Sequence, residues 1–134
     1  MKFLPVLLCA FGLSLNVQAA ESDVDAAVRL TSIAVGEELA ASDARVMKAR
    51  EWITQAMRAT GETDGRAVSA ACVRLARHLF DVTKQRVSPL EVLEALAKRA
   101  PAGRPLQETT QRYFDLRSKQ KLDHAAAMAA MAGK

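Results

Sequence analysis

The apolar residues of this chain recur at intervals of three and four, and this periodicity restricts the fold more than any other feature. Val24, Val28, Thr31, Val35 and Leu39 have this spacing, so a helix places all five on one face. No segment alternates apolar and polar residues for long enough to predict a strand. The sequence therefore predicts an all-α fold, a single small bundle of four to five helices in an orthogonal or up-down arrangement.

The third predicted helix, from about residue 66 to residue 87, has the widest apolar face. On a helix, residues three and four apart lie on the same side, so this face is expected to pack into the core. Its members are Val68, Cys72, Leu75, Leu79 and Val82, with Val73 and Phe80 beside them. We therefore expect these side chains to be buried.

Capping signals predict several helix ends. The run Ser88-Pro89-Leu90-Glu91 combines a capping serine, a proline in the first turn and a glutamate that can bond back to the serine N–H. Gly61 can adopt the left-handed conformation that ends a helix, and Asp64 can cap the next one. Residues 101–105 predict a turn, and residues 122–134, rich in alanine and methionine, are expected to extend the last helix or to fray.

The apolar residues suffice for a shallow core only. From residue 20 onward the chain has 54 apolar residues, but 24 of them are alanine and 30 are larger. Faces rich in alanine allow helices to approach closely, which favours tight packing over a deep ligand pocket. The length and the composition exclude a two-domain enzyme, a multi-span membrane protein and a disulfide-stapled mini-protein.

The first residues have the three-part pattern of a secretory signal peptide. A positively charged start precedes an apolar run from Phe3 to Leu15, and Val17 and Ala19 fit a signal-peptidase cut before Ala20. A membrane-spanning helix needs about 20 apolar residues, so this run is too short for an anchor. The sequence therefore predicts a periplasmic or secreted protein without a transmembrane segment after processing. Its parts are a cleaved signal peptide at 1–19, a helical domain at 20–121 and a C-terminal tail or helix extension at 122–134.

Removal of the signal peptide leaves a single cysteine, Cys72, which therefore cannot form an internal disulfide. Leu8 precedes Cys9 in the apolar run where a lipoprotein requires a small residue, so lipid attachment at Cys9 is disfavoured. As a free thiol, Cys72 can be a buried apolar residue, an intermolecular bridge or a reactive group. Burial is favoured, because free cysteine is among the most buried residue types.

Motifs for catalysis, metals and cofactors are absent from the sequence, so we expect no enzymatic activity, no cofactor and no metal. One alternative is a metal-binding or enzymatic protein centred on His78 and Asp81, which share a helix face and would need further ligands from another helix. His124 stands beside Asp123 in the tail and is expected to be solvated.

Basic residues and methionines near the C-terminus form a candidate partner surface. The chain from residue 20 onward has 18 Lys and Arg against 15 Asp and Glu. Nucleic acid is not expected as a partner, because only four aromatic residues remain there for stacking on bases. An acidic protein or an anionic lipid headgroup fits better. The predicted surface comprises Arg112, Arg117, Lys119, Lys121, Met128 and Met131.

These observations favour an exported, non-catalytic helical protein that acts by protein–protein interaction in the cell envelope, with self-association included. A periplasmic immunity or inhibitor protein that neutralises a secreted effector is one alternative. An envelope protein that contacts anionic lipid peripherally is another.

Overall fold

The structure is a computed structural model that describes the backbone of residues 14–133 and the side chains of residues 23–133. Within this range the chain is all-α and contains no strand, which confirms the predicted fold class. Residues 14–133 form six helices where the sequence predicted four to five. They are α1 (Ser14–Val35), α2 (Ala44–Thr60), α3 (Gly65–Thr83), α4 (Pro89–Arg99), α5 (Leu106–Ser118) and α6 (His124–Ala132).

The predicted signal peptide lies largely outside this range. Residues 1–13 of the predicted 1–19 segment, Cys9 included, are outside the described residues. The expected cut before Ala20 falls within α1 of the full-length chain. In the part of the chain that the structure describes, no helix combines the length and the apolarity needed to cross a membrane.

Side-chain caps define the helix starts that the sequence indicated. The capping box at α4 is complete, because Ser88 Oγ accepts from Leu90 N–H and Glu91 Oε2 accepts from Ser88 N–H. Asp64 caps α3, and Gly61 ends α2 at φ 71°. These local predictions are confirmed.

The first helix ends earlier than its apolar stripe predicts. Gly36 adopts φ 76° and donates its N–H to the Ser32 carbonyl at 2.9 Å, so α1 ends at Val35. Leu39 is still buried, but it enters the core from the loop, where its N–H donates to Ser32 Oγ at 3.2 Å. Of the five residues expected on one buried face, Val35 is exposed, and Leu30 with Ala27 is buried on α1 instead.

The C-terminal tail forms a separate helix that folds back onto the bundle. Lys121 adopts φ 56°, which turns the chain, and Leu122 donates its N–H to the Leu116 carbonyl at 3.0 Å. Asp123 then caps α6 by accepting from Ala126 N–H at 2.8 Å. Residues 122–134 therefore neither extend α5 nor fray over the described part, because the left-handed turn and the cap start a new helix.

The short helix α4 occupies the centre of the molecule. It contacts each of the other five helices, and its inward residues Val92, Leu93, Ala95 and Leu96 are fully buried. Alanines line many of the helix contacts, which allows the close approach expected from the composition. Those with no exposed surface are Ala27, Ala49, Ala56, Ala95 and Ala127.

Candidate functional site

The predicted partner surface does not form one exposed patch. Met131 is fully buried and Arg117 is nearly so, while Met128 packs against the edge of the core. Met131 is covered because α6 folds against α4 and α5. In this conformation, Arg117 and Met131 therefore stabilise the bundle and are not available to a partner.

The remaining basic residues of that prediction have separate surroundings. Arg112 Nη2 donates to the carbonyls of Ala130 at 2.9 Å and Gly133 at 3.4 Å, so it holds the C-terminal end of α6. Lys119 Nζ pairs with Asp115 Oδ1 at 3.2 Å across one helical turn. Lys121 is exposed at the turn before α6. Of the six predicted residues, only these two lysines are largely exposed.

Four polar side chains from three helices form a continuous hydrogen-bonded chain, here called the polar chain. Arg117 Nη1 donates to Tyr113 Oη at 2.7 Å, and Tyr113 Oη lies 2.9 Å from His124 Nδ1. His124 Nε2 lies 2.8 Å from Glu94 Oε1. The polar chain therefore joins α6 to α5 and to α4. His124, expected to be solvated, is a central member of it.

One arrangement of protons satisfies every member of the polar chain. The Tyr113 oxygen accepts from Arg117, so its own O–H can donate to Nδ1 of a neutral His124. The proton of that imidazole is then on Nε2, where it donates to the Glu94 carboxylate. Among the described side chains, no buried polar atom lacks a hydrogen-bond partner. The polar chain is therefore fully satisfied, which favours a rigid attachment of α6.

Burial and pairing perturb two members of the polar chain in opposite directions. Burial raises the pKa of Tyr113 to about 12, although Arg117 acts to lower it. The hydrogen bond from His124 lowers the pKa of the Glu94 carboxyl, and Lys98 adds to the effect. Tyr113 has no exposed surface, so its hydroxyl is enclosed by the fold.

Among the described residues, no further ligand completes a metal site at the alternative centre of His78 and Asp81. The His78 ring stacks on Phe114, with 4.7 Å between the ring centroids and 12° between the planes. Both His78 and Asp81 are exposed on α3. The described residues contain no group of three or more His, Cys, Asp or Glu side chains that could hold a metal ion.

Cys72 lies on the inner face of α3 and is completely buried. Burial raises the pKa of its thiol above the ordinary range, because the charged thiolate would lose its hydration. Of the three uses considered for this cysteine, the structure therefore favours the buried apolar role.

A groove of about 620 Å³ opens between the C-terminal halves of α1 and α3 and the segment that leads into α4; we call it the apolar groove. Ile33 and Phe80 line it and are 52% and 44% exposed. Val73 and Ala76 form more of its apolar lining and are less exposed. The described part of the chain leaves this apolar face uncovered. The sequence predicted Phe80 and Val82 to be buried, but both are exposed, because the helices that pack on α3 leave this side of its C-terminal half uncovered.

Two arginines line the apolar groove, here called the arginine rim. Arg77 on α3 and Arg86 in the α3–α4 connection are both exposed. Neither is in an ion pair among the side chains that the structure describes. Glu91 also lines the groove, but its carboxylate accepts from Ser88 N–H at 3.2 Å as part of the capping box. The rim is therefore positively charged.

A larger cleft of about 1200 Å³ lies between the end of α4, α5 and the end of α6. Two of its four basic side chains are in ion pairs. Arg104 pairs with Glu108, and Lys98 pairs with Glu94 at 3.3 Å. Arg112 is used by the carbonyls at the end of α6. This cleft therefore presents less unpaired charge than its four basic side chains suggest.

Similarity to other proteins supplies no lead to function. The chain matches no protein-family model, and no match is found among the curated proteins or the solved structures. The functional argument therefore depends on the polar chain, the charged cleft and the apolar groove. Among these three, the apolar groove combines large exposed apolar side chains with two arginines that are not in ion pairs within the described residues.

Proposed function

We propose that this protein is an exported, non-catalytic helical protein that acts by binding another protein in the cell envelope. The export part of the proposal rests on the signal-peptide pattern of residues 1–19. The binding part rests on one observation, the apolar groove with its exposed Ile33 and Phe80.

An exposed apolar groove is typical of a surface that another protein covers. Large apolar side chains at solvent carry a free-energy cost that a partner relieves by covering them. Aromatic residues and arginine are enriched in interfaces, and Phe80 stands beside Arg77 here. The members of the polar chain, by contrast, are buried or partly buried and already hydrogen-bonded to one another, so they leave few groups free for a partner.

Site-specific photo-crosslinking tests this proposal. A photoreactive phenylalanine analogue replaces Phe80 in the apolar groove, and the same analogue replaces Met47 on α2 in a second variant as the control. Met47 is 62% exposed and does not line the groove. On irradiation in envelope preparations, we expect position 80 to give a discrete protein adduct and position 47 to give none.

A second substitution within the groove tests whether the adduct forms through the groove itself. Ile33→Ser in the crosslinking chain should reduce the adduct at position 80, because Ile33 lines the same groove. Adducts of equal yield from both positions would contradict the proposal. Adducts with lipid alone would favour the anionic-lipid alternative.

A further inference from the structure

We infer that the apolar groove receives an amphipathic helix of another protein, one whose apolar ridge is bordered by carboxylates. This inference rests on the proposed function and identifies the chemistry of the partner.

The shape of the site favours a helix as the bound element. Every described element is a helix, so no strand edge is present in that range to pair with an extended peptide. The groove is lined by side chains, mainly Ile33, Val73 and Phe80, which a ridge of apolar side chains can fill. A helix presents such a ridge at intervals of three and four residues, and its own backbone groups are already bonded.

The arginine rim determines the charge that the partner needs. Arg77 and Arg86 are exposed at the groove and are not in ion pairs within the described residues. Lys84 adds a third cation, with its Nζ 6.0 Å from the centroid of the Phe80 ring. Asp81 is the exposed acid on this part of α3, and Glu91 is used in the capping box. Carboxylates that border the bound ridge would pair with the two guanidinium groups.

The same charges disfavour a second copy of this chain as the occupant. A two-fold contact through the groove would bring the arginine rims of both copies together, because such an interface uses the same surface twice. The chain also has a net charge of +4. Like charges across an interface oppose binding, so an acidic partner of another kind fits better.

Two synthetic peptides of about 18 residues, about five helical turns, test this inference. Both carry leucines at intervals of three and four; one has glutamates beside the leucines, and the other has lysines at those positions. Binding to the full chain is followed by NMR shifts of the groove residues and by anisotropy. We expect the acidic peptide to bind about tenfold tighter than the basic one or more, because it can form two partly exposed ion pairs with the rim. Its affinity should fall as the salt concentration rises.

Reversing the charge of the arginine rim tests whether the rim sets the preference for the acidic peptide. The double variant Arg77→Glu and Arg86→Glu should reverse the preference, so that the lysine peptide binds better. The matched control, Arg50→Glu and Arg58→Glu on α2, changes the net charge equally at exposed positions outside the groove and should retain the preference for the acidic peptide.

The other outcomes overturn the inference in distinguishable ways. Equal binding of both peptides, unaffected by the rim variant, would reject the acidic partner but leave the groove as a binding site. Absence of binding by either peptide, with an adduct still formed at position 80, would reject the acidic helix and retain the proposed function. Groove shifts that depend on the concentration of the protein alone would indicate a second copy as the occupant.

Discussion

Tyr113 shows how the surroundings of one residue combine opposing effects. Its ring is fully buried, its oxygen accepts from Arg117 at 2.7 Å, and its pKa is raised to about 12. Burial dominates, because removing the phenolate from water costs more than the guanidinium returns. The neutral hydroxyl is therefore the stable form, and it is the form that can donate to His124.

The chain contains one tyrosine, so its ionisation can be observed directly. We expect the tyrosinate absorbance of the folded protein to appear near pH 12 and that of the unfolded chain near the ordinary value of 10. Because the pKa of Tyr113 is raised on folding, its contribution to stability is present below pH 10 and is lost as the pH rises toward 12. A spectrophotometric titration with and without denaturant measures both midpoints. A folded-state midpoint near 10 would contradict the buried geometry.

The hydrogen bonds of the polar chain could not be predicted from sequence patterns alone. Tyr113 and Arg117 are one helical turn apart, but Glu94 lies 30 positions before His124. Helical periodicity relates only neighbours on one element, so it cannot bring α4, α5 and α6 together. The local sign that His124 begins a helix is Asp123 before it, because aspartate is a preferred N-cap residue.

Helix ends that carry a capping signal were predictable from the sequence, whereas features that depend on packing between helices were not. The capping box fixed the start of α4, and Gly61 with Asp64 separated α2 from α3. The end of α1 was missed because Leu39 continues the apolar spacing beyond Gly36. Exposure of Phe80 was missed because the sequence does not show which part of a helix face its neighbours cover.

Packing of α6 is expected to contribute strongly to stability. Met131 is fully buried, so Met131→Ala should lower the free energy of unfolding by about 2–5 kcal/mol through lost burial and the cavity left behind. Met47→Ala is the control, because Met47 is exposed on α2 and should change the free energy by less than about 0.5 kcal/mol. Denaturant unfolding, followed by the fluorescence of the single tryptophan, measures both. Equal midpoints for the two variants would show that α6 does not pack as described.

The bond between His124 and Glu94 makes the attachment of α6 sensitive to acid. The pKa of the Glu94 carboxyl is lowered from its ordinary value of 4.5, mainly by the hydrogen bond from His124. Its contribution to stability is therefore present above pH 4.5 and is lost as the pH falls through the folded-state value. Glu94→Gln should be less stable than the natural chain at neutral pH, with a difference that shrinks in acid. Glu38→Gln, at an exposed loop position, is the control and should change the free energy of unfolding at neutral pH by less than about 0.5 kcal/mol.

The described residues form a tightly packed interior, and the apolar groove is an open apolar face beside it. The central helix α4 touches all the others, and the polar chain attaches α6 to that centre. In the large cleft Lys98 and Arg104 are in ion pairs, whereas the apolar groove retains exposed Ile33 and Phe80 beside the arginine rim. The composition already indicated a shallow core of alanine-rich helices, but only the packing shows which apolar side chains the core leaves outside.

Cys72 reports on the opening of this interior, because it is fully buried on α3 and its pKa is raised by burial. In a chain that begins at residue 20 it is the sole thiol. A thiol reagent reacts with the exposed thiolate, so labelling under native conditions should be slower than in the unfolded chain by about a thousandfold or more. Met131→Ala should accelerate labelling, whereas Phe80→Ser should leave it nearly unchanged because Phe80 is on the open face. Labelling of the natural chain at the rate of the unfolded chain would show that α3 opens without unfolding of the bundle.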